Sequence, residues 1–155
     1  MKRLTWKLII PLTIISFSLF TKWWYTLPEN APDTIFIGFP LPFLCNGWHT
    51  SMSLQIFILE LVVDLLTYFI FWFILIFLIN EYLKQINVPN FLTVSFLSIA
   101  ILISAYSIWA ASFKENLFYY KREFNIEVMK TGYKFTWQNL ERPNFYKYHP
   151  QDKNP

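Results

Sequence analysis

The sequence predicts an all-α membrane protein with three transmembrane helices, an ordered extramembrane loop and a short basic, aromatic tail. Three observations predict it. Of 155 residues, 55% are hydrophobic, 21% aromatic and only 15% charged, with 17 Phe. A water-soluble domain needs more polar surface than this to cover so many rings, whereas a bilayer accepts Phe and Leu on the outside of a helix. The second observation is the uncharged, mostly apolar run Leu65 to Asn80, headed by Glu60 and Asp64 one helical turn apart on one face. The third is the absence of any charge between Lys84 and Lys114. The chain then divides into a transmembrane domain over 1–113, with spans at 6–25, 58–83 and 91–113 and a loop at 26–50, and an extramembrane tail over 114–155.

The first span opens with Lys2, Arg3 and Lys7 and continues through Leu8 to Thr21 around Pro11. Thr21-Lys22-Trp23-Trp24-Tyr25 follows in place of a small-residue cleavage site, so the segment is expected to stay as an anchor. With Lys7 and Lys22 snorkelling, residues 6–25 are long enough for roughly 30 Å of hydrocarbon. Trp23, Trp24 and Tyr25 would then form an aromatic belt at the interface.

Pro28, Pro32, Pro40, Pro42 and the Asn46-Gly47 pair forbid a long helix over 26–50. The stretch Ile35 to Cys45 is nevertheless too apolar to stand free in water, so the loop is expected to lie on the interface or over the helix ends. Thr50, Ser51 or Ser53 offers an N-cap for a helix running to Leu83. A helix that long would overshoot the hydrocarbon and leave Glu60 and Asp64 near the interface. The connection Glu81 to Asn90 predicts a tight hairpin with the third span, whose Ala100, Ser104, Ser107 and Ala111 form a small-residue stripe for close helix packing.

After Phe113 the chain carries eight of its 13 Lys and Arg residues and ten aromatic residues. Phe124, Ile126 and Val128, then Tyr133, Phe135 and Trp137 beyond Lys130-Thr131-Gly132, alternate as in a β-hairpin. Leu117, Tyr120, Phe124 and Val128 equally fit a helical continuation, and periodicity leaves both open. Tyr119, Tyr120, Lys121 and Arg122 are expected to anchor this segment among lipid headgroups.

Topology rests on a near tie. With the N-terminus inside, Lys2, Arg3, Lys7 and Lys84 face Lys22, Lys114, Lys121, Arg122 and Lys130 across the bilayer. The first helix decides for a cytoplasmic N-terminus, with loop 26–50 and the tail outside.

Glu60 and Asp64 are the candidate interaction residues. Two carboxylates four apart on a helix near hydrocarbon repel each other and call for water, a counter-charge on a partner, or a shared proton or cation. Cys45 and His49 are also four apart, but two ligands are too few for zinc, and nothing identifiable orients the imidazole as a base. No phosphate-binding Gly loop or hydrolase motif occurs. No catalytic, metal-binding or cofactor-binding residue is therefore assigned. The basic, aromatic tail reads as a lipid anchor and not as a nucleic-acid surface.

The phrase Gly38-Phe39-Pro40-Leu41-Pro42-Phe43, followed by a polar turn and an acid-headed span, resembles a group of uncharacterised small bacterial multi-pass membrane proteins over residues 23–80. The resemblance implies a bacterial cytoplasmic-membrane location and carries no function. The expected role is that of a non-enzymatic accessory or assembly subunit, with the bilayer and a larger membrane complex as partners. The alternative is a homo-oligomeric proton or cation conduit lined by Glu60 and Asp64.

Overall fold

The computed structural model describes residues 2–29, 31–48, 53–83, 85–140 and 143. It shows a mixed α/β protein with three helices and one six-stranded sheet, which overturns the all-α, three-span expectation. The expectation failed where apolar composition was read as helix. Phe20-Thr21-Lys22-Trp23-Trp24-Tyr25-Thr26 is rich in aromatic and β-branched residues, which suits a half-buried strand better than a helix end.

The first helix, α1, comprises Lys2–Leu4, a π-helical stretch Thr5–Ile9 and Ile10–Leu19. Its wide turn directly precedes Pro11, which has no N–H and would collide with the carbonyl four residues back in a regular helix. The Ile10 N–H accordingly reaches the Thr5 carbonyl. The helix ends at Leu19 and the chain passes straight into β1, Phe20–Pro28. Trp23, Trp24 and Tyr25 thus belong to a strand.

Strands β2 (Thr34–Ile37), β3 (Leu44–Asn46) and β4 (Leu54–Phe57) follow, then helix α2, Ile58–Leu78, which continues through a π-type turn Ile79–Leu83. Leu54–Phe57 therefore extend the sheet instead of opening a long helix, and Ser53 stands just before that strand. Thr50 and Ser51 lie outside the described residues. Helix α3, Asn90–Ala111, leads to β5, Leu117–Tyr119, and β6, Ile126–Phe135. The sheet order is β5-β4-β3-β2-β1-β6. Neighbours are antiparallel except β4 and β5, which are parallel.

Strand β6 is one continuous ladder on β1, neither a hairpin nor a helical continuation. Its register runs from Phe20 opposite Phe135 to Pro28 opposite Ile126, with a bulge at Tyr25/Thr26. Gly132 is not a turn residue. It sits opposite Trp23, and a Cβ there would lie 2.7 Å from Trp23 Nε1 and 2.8 Å from Cε2 and Cζ2. Glycine lets the indole lie flat across the neighbouring backbone. Gly132→Val is expected to displace that ring and cost about 1–3 kcal/mol despite valine's better strand propensity. Chemical unfolding of the purified protein, followed by tryptophan fluorescence, measures it.

The sheet curls. Strands β5 and β6 stand at opposite edges, five strand spacings apart, or ~24 Å across a flat sheet. The link Tyr120–Asn125 could just reach that far if fully extended, at ~3.3–3.6 Å per residue. Yet Phe124 in that link packs within 5.3 Å of Trp48, 5.9 Å of Phe57 and 6.3 Å of Phe36 between ring centroids. Only a sheet wrapped around Phe124 satisfies both. The core so formed holds Phe36, Cys45 and Phe57, with Trp24, Phe124 and Ile126 against them.

Helices α2, extended to Leu83, and α3 have 26 and 22 residues and are long and apolar enough to cross a membrane. Only 11% and 6% of their most apolar stretches are buried, unlike the core helix of a soluble domain. Both pack on α1 more than on each other, so the expected α2–α3 hairpin is instead a pair of helices flanking α1. Trp72 Nε1 donates to Ser16 Oγ at 2.9 Å, and Lys7 Nζ donates to Asn90 Oδ1 at 3.4 Å. On α3, Ala100 is buried and Ser104 and Ala111 are half-buried, but Ser107 is exposed. The small-residue stripe is thus covered only in part.

Candidate functional site

The carboxylates of α2 lie where the helix meets the sheet. Asp64 is fully buried, at 0% exposure. Its Oδ2 accepts the Phe39 N–H at 2.5 Å and its Oδ1 accepts the Leu41 N–H at 2.9 Å. Asp64 therefore holds the loop between β2 and β3, Gly38 to Phe43, as a carboxylate cradling two backbone donors that no strand supplies with acceptors. The loop needs such a hold because Pro40 and Pro42 have no N–H to give.

Gly38 makes the loop's entry. Its φ is +152°, and a Cβ there would stand 2.0 Å from the Leu41 carbonyl oxygen and 2.8 Å from the Phe43 nitrogen. Only glycine fits that backbone. The Gly38 N–H donates to the Lys22 carbonyl at 2.9 Å, and the Gly38 carbonyl accepts Trp24 Nε1 at 2.9 Å. Aromatic rings then tie the loop to the helices: Phe43 stacks on Phe17 of α1 at 5.3 Å, and Phe39 meets Tyr68 of α2 edge-on at 6.3 Å. Tyr68 OH donates to the Phe20 carbonyl at 2.7 Å, where α1 becomes β1.

Glu60, one turn earlier, serves the chain after β5. Its Oε1 accepts the Arg122 N–H at 3.2 Å, and the neighbouring Leu59 N–H donates to the Tyr120 carbonyl at 3.0 Å. The second bond uses an open first-turn N–H of α2, and the positive end of the helix dipole favours the Glu60 carboxylate in that turn. Glu60 is 7% exposed, and among the described residues its Oε2 makes no hydrogen bond; Arg122 Nε and Nη1 are likewise buried without one there. Burial lowers the Arg122 pKa from its ordinary value, opposed by the nearby Glu60 carboxylate and Cys45. The acids named from the sequence thus sit together at one junction, Asp64 holding two backbone N–H groups of the β2–β3 loop and Glu60 one from the link after β5.

Cys45 is 2% exposed, 3.9 Å from Gln55 Oε1, and burial pushes its thiol up from 9.0 to about 12, slightly opposed by Arg122. That is the environment of an inert core thiol and not of a nucleophile. Because the folded protein holds this thiol neutral while the unfolded chain ionises it near pH 9, stability is unaffected below pH 9. It is lost as pH rises from 9 towards 12, by about 1.4 kcal/mol per unit. Cys45→Ala should flatten that alkaline slope in unfolding curves recorded between pH 8 and 11, and the native thiol should resist alkylation until the protein unfolds. His49, its sequence companion, lies outside the described residues, as does Lys84. Among the described residues no group of three or more His, Cys, Asp or Glu is placed to hold a metal ion.

The expected interface anchors separate. Tyr25 is buried, Trp24 lies against the core, and Trp23 covers Gly132. Tyr119, Tyr120 and Lys121 are exposed, whereas Arg122 turns inward beside Glu60. Sequence reasoning missed the loop N–H groups of Phe39 and Leu41 and the Glu60–Arg122 link. The available signal was a proline-rich loop facing two acids with no basic residue nearby in sequence. A cleft of about 320 Å³ at the other end of the sheet is lined by Pro32, Asp33, Thr34, Trp48 and neighbours. Its one carboxylate, Asp33, accepts the Tyr25 hydroxyl at 2.8 Å. No protein-family model matches the chain, and neither do any curated protein or solved structure.

Proposed function

We propose that this chain is a multi-pass membrane protein of the bacterial cytoplasmic membrane that acts without chemistry of its own, as a small accessory or assembly subunit docked on a larger membrane complex. The observation that carries the reading is the state of α3. Thr93 and Ala100 are its only buried positions, and Ile101, Leu102, Tyr106, Ile108 and Trp109 are 60–70% exposed along its length. Lipid can cover such a face, but aromatic side chains beside the half-covered Ser104 and Ala111 also suit close approach of another helix. The junction acids support a structural part for the sheet, since they hold it onto α2 instead of lining an open cleft. The N-terminus is placed in the cytoplasm and the sheet on the outer side.

A photocrosslinker replacing Tyr106 on α3, activated in membranes of the native host, tests this. The expected result is a single stoichiometric adduct with a larger membrane protein; crosslinking to lipid alone would refute it. A second reading rests on Glu60 Oε2, buried without a hydrogen bond among the described residues. In it, several copies assemble and Glu60 carries protons or cations along the assembly. Ion flux in liposomes that is unchanged by Glu60→Gln and Asp64→Asn removes this reading.

A further inference from the structure

Among the described residues strand β6 ends the sheet, and it runs for ten residues, about twice the ordinary strand length of ~5–6. Natural proteins keep such edges short, bulged or proline-bearing, because an open edge templates another strand. The bulge in this ladder falls opposite Tyr25/Thr26, so the stretch from Lys130 to Phe135 is regular and holds no proline.

Two hydrogen bonds fix which way its backbone points. Thr136 N–H donates to the Leu19 carbonyl at 3.0 Å, on the β1 side, whereas Phe135 N–H turns away from β1 and is met by Gln138 Oε1 at 2.9 Å. Backbone groups alternate between the two sides of a strand. Those of Thr131, Tyr133 and Phe135 therefore point outward; Gln138 occupies the last of them, its Oε1 taking the Phe135 N–H and its own N–H the Phe135 carbonyl, each at 2.9 Å, so Thr131 and Tyr133 supply the backbone groups that this edge presents. Side chains alternate in the other sense. Tyr133 and Phe135 share one face and are 57% and 41% exposed, Tyr133 stacking on Phe20 at 5.5 Å. Lys130 and Lys134 share the other face.

We infer that the outer edge of β6, from Lys130 to Phe135, receives an extended segment of a partner polypeptide as a seventh, edge-added strand. The chemistry of the edge defines that segment. Its residues alternate between apolar side chains, set beside Tyr133 and Phe135, and acidic ones, set beside Lys130 and Lys134. The paired lysines argue against a second copy of β6, which would place like charges at this edge. The inference rests on the docking reading and names its second contact, on the sheet as well as on α3.

Crosslinkers at two positions separate the two claims. Full-length protein carrying Tyr133→p-benzoylphenylalanine, and separately Tyr106→p-benzoylphenylalanine, is irradiated in membranes of the native host, and the crosslinked peptide is sequenced. The expected result is a Tyr133-site adduct on a segment of alternating apolar and acidic residues. Thr131→Pro deletes one outward N–H and leaves the β1 ladder intact, so it should reduce that adduct about tenfold. Lys134→Glu should reduce it several-fold, and it decides the matter if melting shows that the proline variant is unfolded. A Tyr106-site adduct without a Tyr133-site one overturns the edge-strand inference and leaves the docking reading standing. Absence of both overturns both. A Tyr133-site adduct with a second copy of this chain, one on a segment lacking the alternation, or one unchanged in both variants also overturns the inference.

Discussion

Asp64→Ala is expected to destabilise the folded protein by about 3–5 kcal/mol, the largest effect of any single substitution considered. The substitution takes the acceptor away from the Phe39 and Leu41 N–H groups, which point at a fully buried position, and a donor left so costs about 1–3 kcal/mol. It also opens a small void at a fully buried position. Asp64→Asn keeps one acceptor oxygen but turns an NH₂ towards the other donor, so it should lose roughly half as much. Denaturant unfolding in nanodiscs ranks the three proteins. Limited proteolysis should cut the Gly38 to Phe43 loop first in the alanine variant. An Asp64→Ala protein with wild-type stability and an uncut loop would mean that the carboxylate does not hold the loop.

Gly38→Ala is expected to cost about 3 kcal/mol at the same place by an independent route. An alanine at φ +152° is strained, and its Cβ would press on the Leu41 carbonyl and the Phe43 nitrogen, both backbone atoms that cannot swing aside. Since Gly38 shapes the loop that Asp64 grips, the two changes should not add. The double variant should fall short of the sum by about 1 kcal/mol or more. Full additivity would show that the loop and the carboxylate act separately.

The two long helices were legible in the sequence because uncharged runs over Leu65 to Asn80 and between Lys84 and Lys114 leave few alternatives. The sheet was not. Its strands come from six separated stretches, and the sequence sees only neighbours: Trp23 next to Lys22 looks like a membrane anchor until Gly132 is brought opposite it. Tyr25 looked interfacial for the same reason, though it is 1% exposed. Lys130-Thr131-Gly132 read as a turn because glycine in a basic tail usually marks one, while here it makes room for an indole. The acid pair could be singled out as unusual, and its position at a helix head was readable. Its use was not, since the groups that Asp64 and Glu60 hold are backbone N–H groups 23 to 62 residues away, which no residue type announces.

The proposed docking onto a larger membrane complex rests on helices α2 and α3, with so much uncovered apolar surface, and on a sheet held to α2 by its own carboxylates. The direct measurement is the native mass of the particle taken from host membranes in lipid nanodiscs without detergent exchange. The expected result is one copy of this 18.7 kDa chain in a fixed ratio with a larger membrane protein. A lone 18.7 kDa chain, or a ring made only of multiples of it, would contradict the account.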